Sequence, residues 1–192
     1  MSSNLGKWMH RYADAKEAAP YGDTQTYQLG IDFLSDCEYI EDWGCGLGWF
    51  RHLAKDRGLN ITNIDGTASP FCDYVRDLVH YRPVGVDGIF LRHVLEHNPD
   101  WEKVLLNALD CARKKVAVVL FTPCSGTDKT EQITWVSSYD VPDLSLPLDH
   151  IWALFHRRGY RVEIERLTTA TYYGQETTIF GTRAASLLQH DE

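Results

Sequence analysis

The chain has 192 residues, 44% of them hydrophobic and 24% charged, which is the composition of one ordinary globular domain (1–192) rather than two. A formal charge of −8 argues against a long phosphate-tracking surface, so nucleic acid is a disfavoured partner. No apolar run approaches the roughly 20 residues of a membrane span, the start lacks the apolar core of a signal peptide, and the five cysteines form no C-x-x-C pair; a cytoplasmic protein with reduced thiols and no membrane partner is expected.

Residues 1–35 carry helical character with a break at Ala19, Pro20, Tyr21 and Gly22, and the second half places Tyr27, Ile31 and Leu34 on one face. Glu38 to Phe50, EYIEDWGCGLGWF, then reads as strand, glycine turn and helix: an apolar-leaning run ends in Gly44, Gly46 and Gly48, and Trp49, Phe50, Leu53 and Ala54 follow in helical spacing. Glycines at every second position let the backbone turn sharply and let a ligand lie against main-chain N–H groups at a helix N-terminus. A dinucleotide fingerprint needs a third small residue, and that place falls on Trp49 or Arg51 in the two possible registers, so the NAD reading fails.

Gly58 ends the helix, and NITNID reaches Asp65, 21 residues after Gly44, close to the interval at which a nucleotide-binding β-α-β unit sets an acid on ribose hydroxyls. A carboxylate suits a cis-diol because it accepts from both hydroxyls. Asp77 follows Asp65 by only 12 positions, so the second helix must be short, with Cys72 to Arg76 as a third strand. VDGIFLRHVLEH gives a strand through Ile89, Phe90 and Leu91 with Arg92 and His93 emerging at its C-terminal end, where ligands bind in open α/β sheets. NPDWEKVLLNALDCARKK is an amphipathic helix, and Val116 to Phe121 is a continuous apolar strand of the kind buried on both faces. Residues 125–147 form a long polar loop holding Trp135 and Tyr139, expected to touch substrate. A helix over Leu148 to Arg158 and strands over Tyr160 to Leu167 and Glu176 to Arg183 close the chain, and the tail from Ala184 is expected to fray.

The D-W-G-C-G-L-G turn and the strand followed by H-V-L-E-H resemble the class I, Rossmann-like S-adenosylmethionine-dependent methyltransferases. The resemblance implies a mostly parallel seven-stranded sheet with helices on both faces and an antiparallel C-terminal edge pair. It implies S-adenosyl-L-methionine as cofactor, held by Asp42, Gly44, Cys45, Gly46, Gly48, Asp65, Gly66, Asp77, Leu78 and Arg92, with Asp42 on the ammonium, Asp65 on the ribose and Asp77 with Leu78 on the adenine. Residues 1–35 would lie over the methionine end, with Arg11, Tyr12 and Tyr21 at the substrate mouth.

Because the cofactor carries an activated methyl, alignment of the acceptor and removal of a proton are the main tasks left to the protein. His93 is the candidate general base, against the alternative of a structural or capping histidine, and His150 is a further candidate. His93, Glu96 and His97 spell H-x-x-E-H, which read alone resembles an inverzincin metal motif. The upstream glycine turn and apolar strand are the wrong context, so no metal is expected and Glu96 and His97 are read as holding the loop to the next helix. The function expected is methyl transfer to a small molecule, a metabolite or sugar. The alternatives are a non-catalytic cofactor-binding or assembly protein of the same fold, or methylation of RNA or protein, and the oligomeric state is open.

Overall fold

A computed structural model describes residues 5–184. The tail expected to fray lies outside the described residues beyond Ala184.

Two short helices, α1 (Met9–Tyr12) and α2 (Gln25–Phe33), precede β1 (Tyr39–Trp43), the glycine turn and α3 (Trp49–Ala54). Then come β2 (Asn60–Asp65), the two-residue β3 (Tyr74–Val75), β4 (Gly88–Arg92), α4 (Trp101–Cys111) and β5 (Lys115–Leu120). A hairpin of β6 (Glu131–Val136) and β7 (Val141–Ser145), α5 (Leu148–Arg157), β8 (Tyr160–Thr168) and β9 (Gln175–Arg183) complete the order. Seven strands form one sheet in the order β3-β2-β1-β4-β5-β9-β8, parallel from β3 through β5, with β9 antiparallel to both β5 and β8. The expected Rossmann-like sheet and antiparallel C-terminal pair are therefore present.

Both faces of the sheet are covered, and alternation along the central strands shows how. Ile89, Leu91, Val116, Val118 and Leu120 pack with α4 and α5, while Phe90, Ala117 and Val119 pack with α2 and α3. Successive side chains of a strand point to opposite faces, so a strand buried on both must be apolar throughout, as VAVVL is. On the second face, Phe50 stacks on Phe90 with ring centroids 4.1 Å apart.

Two elements differ from expectation. The long loop holds an antiparallel hairpin, whose β7 is buried along its whole length while β6 is almost wholly exposed. The third strand shrinks to two residues, and before it the exposed Asp73 side chain takes the ladder's place: its Oδ2 accepts from the Asn63 N–H at 2.8 Å and from Arg51 Nη1 at 2.5 Å. That ends the ladder on the β2 side.

Strand order reverses between β1 and β4, which is where open α/β sheets leave a crevice beyond the strand ends. The glycine turn leaves β1 at this point, and His93 leaves β4 beside it.

Candidate active site

A cleft of about 960 Å³, counted out to its open mouth, lies at this crevice. Gly44, Cys45, Gly46, Asp65, Gly66, Asp77, Leu78, Arg92 and His93 all line it, so the glycine turn and the two downstream carboxylates do meet in one place. Asp42, Gly48 and His150 do not line it.

The turn owes its shape to left-handed backbone, with φ of 76° at Gly44 and 53° at Gly46. A Cβ on Gly44 would stand 2.3 Å from Val94 Cγ2, whereas one on Gly46 would meet only the Tyr12 hydroxyl, at 3.2 Å. Gly44 thus keeps the turn against the segment after β4, and Gly46 leaves a cradle on the cleft side. Gly48 serves packing, since a Cβ there would come 2.7 Å from Phe71 Cβ. Gly44→Ala is expected to destabilise the fold by about 2–4 kcal/mol, from backbone strain together with the clash on Val94, readable as a lowered urea midpoint at unchanged m-value.

The main-chain N–H groups expected to face a ligand are already occupied. Those of Gly44 and Cys45 donate to the Ile64 carbonyl at 2.8 and 3.1 Å, that of Gly48 donates to Cys45 O at 2.8 Å, and that of Gly46 donates to Asp65 Oδ2 at 2.9 Å. What the turn offers the cleft is close approach rather than a row of donors.

Asp65 also accepts from the Thr67 N–H at 2.8 Å through Oδ1, so each of its oxygens keeps lone-pair capacity for a ligand hydroxyl. Burial pushes its carboxyl up to about 6, against the pull of the Gly46 and Thr67 N–H groups. Asp77 is fixed from behind: Oδ1 accepts from the Val79 N–H at 3.1 Å, Oδ2 lies 2.9 Å from His80 Nδ1, and Asn107 on α4 donates to the Leu78 and Val79 carbonyls. The two acids sit on rigid supports.

Asp42 sits below the turn, 3% exposed, with burial first and Asp65 second pushing its carboxyl up to about 8. Its folded-state value is raised above the unfolded one, so between about pH 4 and 8 the native state holds a proton that the unfolded chain has released, and stability falls as pH rises across that window. Asp42→Asn removes this dependence. Its melting temperature is expected to exceed the parent's at pH 7.5 by a few degrees and to match it near pH 4.

Arg92 is committed to structure as much as to the cleft. It donates through Nε to Thr26 Oγ1 (3.0 Å), through Nη1 to Tyr21 O (2.8 Å) and through Nη2 to Asp23 O (3.0 Å) and Glu176 Oε1 (2.6 Å). It also stacks over Tyr27 at 4.1 Å. These bonds fasten the N-terminal segment to the sheet. Further out, Gly6 N donates to Gly66 O at 2.9 Å and Trp8 N to Thr67 Oγ1 at 3.3 Å, which lays Trp8 and Tyr12 over the cleft. Of the residues expected at the substrate mouth, Tyr12 and Tyr21 line the cleft, and Arg11 stacks on Tyr21 at 4.8 Å.

His93 has a φ of 57°, rare for a residue with a side chain, and is 9% exposed. Its Nε2 lies 2.5 Å from Glu176 Oε1, and its Nδ1 is buried without a hydrogen-bond partner among the described residues. Burial, then Arg92 and His97, hold its basicity well below the ordinary histidine value. His150 instead sits on α5 with Nε2 3.4 Å from Glu102, edge-on to Trp101, because its helix packs beyond α4 rather than over the strand ends.

Within the H-x-x-E-H block, Glu96 Oε1 accepts from the Phe121 N–H at 2.6 Å and His97 Nδ1 meets Pro142 O at 3.0 Å and Asp143 Oδ1 at 3.2 Å. The pair ties the segment after β4 to β5 and to the hairpin, not to α4 as read from the sequence. No residue of 125–147 lines the cleft. The hairpin buttresses it from outside, with Tyr139 stacked on Trp8 at 4.2 Å and Asp143 against His97. Sequence reasoning missed Trp8, Val94, Asn98 and Glu176. For Glu176 a signal existed: an acid at the head of the uncharged run TTIFGT, where a strand buried at its start has no ordinary use for a charge.

No curated protein matches the chain significantly. Among solved structures it is similar to the 1,6-didemethyltoxoflavin-N1-methyltransferase of Burkholderia thailandensis, with TM-score 0.66, 13% identity, and 83% of this chain and 77% of that one covered. The magnesium protoporphyrin IX methyltransferase of Synechocystis PCC 6803 superposes with TM-score 0.62 at 12% identity over 84% of this chain and 79% of that one. The N-terminal domain of EvdMO1 does so with TM-score 0.61 at 12% identity over 85% and 83%. At such identities the likeness is one of fold. The family model described as methyltransferase domain matches residues 24–166, well over half of the chain, and the chain belongs to that family.

Proposed function

We propose that the protein transfers a methyl group from S-adenosyl-L-methionine to a small-molecule acceptor in the cytoplasm. One observation carries the reading: Gly44 to Gly46, Asp65, Asp77 and His93 line a single covered cleft at the reversal of strand order. The residues present fit the cofactor. Gly46 leaves a cradle that a side chain would fill, Asp65 keeps acceptor capacity for ribose hydroxyls, and Asp77 with Leu78 lines the same cleft and would meet the adenine. Bound there, the cofactor supplies a methyl on a sulfonium, an electrophile that needs only an aligned nucleophile.

The chain's own contribution is to hold, cover and deprotonate. Asp65 and the turn fix the nucleoside, Trp8, Tyr12 and Tyr21 screen the cleft from water, and His93 takes the acceptor proton. A small acceptor is favoured because the N-terminal segment lines and narrows the cleft through Trp8, Tyr12 and Tyr21, and because a net charge of −8 gives a polyanion little to hold. The solved relatives include one with bound 1,6-didemethyltoxoflavin, a small molecule of the class proposed here.

Calorimetry with S-adenosylhomocysteine tests the reading, and no binding at high micromolar ligand would remove it. Binding without methyl consumption across a metabolite panel would leave a cofactor-binding protein instead. Asp65→Ala is expected to weaken that binding by about 1–3 kcal/mol, roughly tenfold to a hundredfold in Kd, through lost charge-assisted hydrogen bonds. Because the Asp65 carboxyl titrates at about 6, affinity is also expected to fall as pH drops from 7 to 5, since the protonated acid accepts less well.

A further inference from the structure

Glu176 is the second residue of strand β9 and is 0% exposed, yet the reaction outlined above gives it no task. Its Oε1 accepts from Arg92 Nη2 at 2.6 Å and lies 2.5 Å from His93 Nε2, and its Oε2 accepts from the Thr26 hydroxyl at 3.2 Å. A guanidinium on the shared oxygen favours the carboxylate over the acid. An ionised carboxylate can only accept, so the proton between the two side chains belongs to His93 Nε2. The lone pair of the ring is then on Nδ1, the nitrogen that has no partner among the described residues and belongs to a residue lining the cleft. The groups facing the ring are Arg92 and Glu176, His97, and the rings of Tyr21 at 5.7 Å and Phe121 at 4.7 Å. None of these supplies a hydrogen bond to Nδ1.

We propose that Glu176 is a positioning residue that locks His93 in the Nε2–H tautomer, so that Nδ1 takes a proton from the acceptor and the acceptor is an O–H or N–H acid. The inference rests on the methyl-transfer reading. The acceptor's X–H bond breaks toward Nδ1, the acceptor atom bonds the methyl carbon, and the pair of the broken carbon–sulfur bond stays on sulfur. His93 becomes an imidazolium whose charge the Glu176 carboxylate offsets, and the proton passes to solvent when the product leaves. A tertiary amine or thioether has no proton to give. For such an acceptor the bare nitrogen would be useless.

Nitrogen-15 spectra of histidine-labelled protein at pH 7, with the His93 signal assigned by its loss in His93→Gln, read the tautomer directly. The expected result is a proton on Nε2 and a bare, pyridine-type Nδ1. An Nδ1–H tautomer or an imidazolium would overturn the proposal, whether or not any acceptor turns over. Methyl consumption is then compared across phenols and heteroaromatic N–H compounds on one side and tertiary amines and thioethers on the other, and turnover of the second group would also overturn it. On any acceptor that reacts, Glu176→Gln is expected to lower kcat by about tenfold to a hundredfold with KM within about twofold and a displaced acid limb of the pH–rate profile. A merely structural glutamate would lower the melting temperature and leave kcat per folded molecule unchanged. Failure of S-adenosylhomocysteine to bind would sink the methyl-transfer reading while leaving the tautomer measurement to stand or fall by itself.

Discussion

Arg92→Ala is expected to destabilise the protein by about 3–5 kcal/mol, because it leaves the Glu176 carboxyl buried without its cation. For a chain of this size that is a fall of roughly 6–20 °C in melting temperature. The guanidinium does three things at once: it pairs with Glu176, it satisfies the Tyr21 and Asp23 carbonyls, and it covers the face of Tyr27. The deficit is expected to grow with pH. Burial already raises the Glu176 carboxyl and Arg92 draws it back; without Arg92 it rises further. A carboxyl raised in the folded state binds a proton that the unfolded chain gives up near pH 4.3, so stability is greatest in acid and declines above that value. Adding Glu176→Gln to Arg92→Ala should recover part of the loss, since the orphaned charge is then gone. Additive losses in thermal melts across this cycle would show that the two side chains do not act as a unit.

Removing the imidazole is expected to lower kcat by about a hundredfold to ten-thousandfold, the usual contribution of a placed base, equivalent to about 3–5 kcal/mol of transition-state stabilisation. His93→Ala is the variant, and S-adenosylhomocysteine affinity by calorimetry should stay within about threefold of the parent. The split follows from the geometry. His93 reaches the cleft from the end of β4, while the acids proposed to hold the nucleoside leave β2 and β3 on the other side of the glycine turn. A kcat reduced less than about tenfold would make the ring a brace between Phe121 and Tyr21. Rescue of activity by added imidazole would support the base.

Fold and cleft differed in how legible they were from the residues. The strand, glycine turn and helix around Gly44 were readable because the punctuation is local: three glycines in a short span permit little else. Asp65 could be placed from its interval after Gly44, since a β-α-β unit has a nearly fixed length, whereas Asp77 follows a shortened connection and was placed by the resemblance. The hairpin inside 125–147 was not readable, because β6 alternates over only four residues, Gln132 to Trp135, while β7 carries Pro142, which ordinarily argues against a strand. The occupation of the turn's N–H groups also escaped notice, since it depends on where the Ile64 carbonyl and the Asp65 carboxylate fall in space. Glu176 stands 83 residues from His93, and only the sheet brings them together. Trp8 joins the cleft through bonds to Thr67 and a stack on Tyr139 that no short-range pattern encodes.

The N-terminal cover has a firm root and a lighter tip. At Tyr21 and Asp23 it is bonded to a buried cation, whereas between Gly6 and Trp8 it rests on one main-chain bond, one longer bond to a hydroxyl, the Lys7–Asp140 ion pair and the contacts of the Trp8 ring with Tyr139 and His97. Peeling back the tip leaves the root in place. Opening at the tip would then leave the sheet folded, and ligand residence time would be set by the contacts that hold Gly6 to Trp8 rather than by global unfolding.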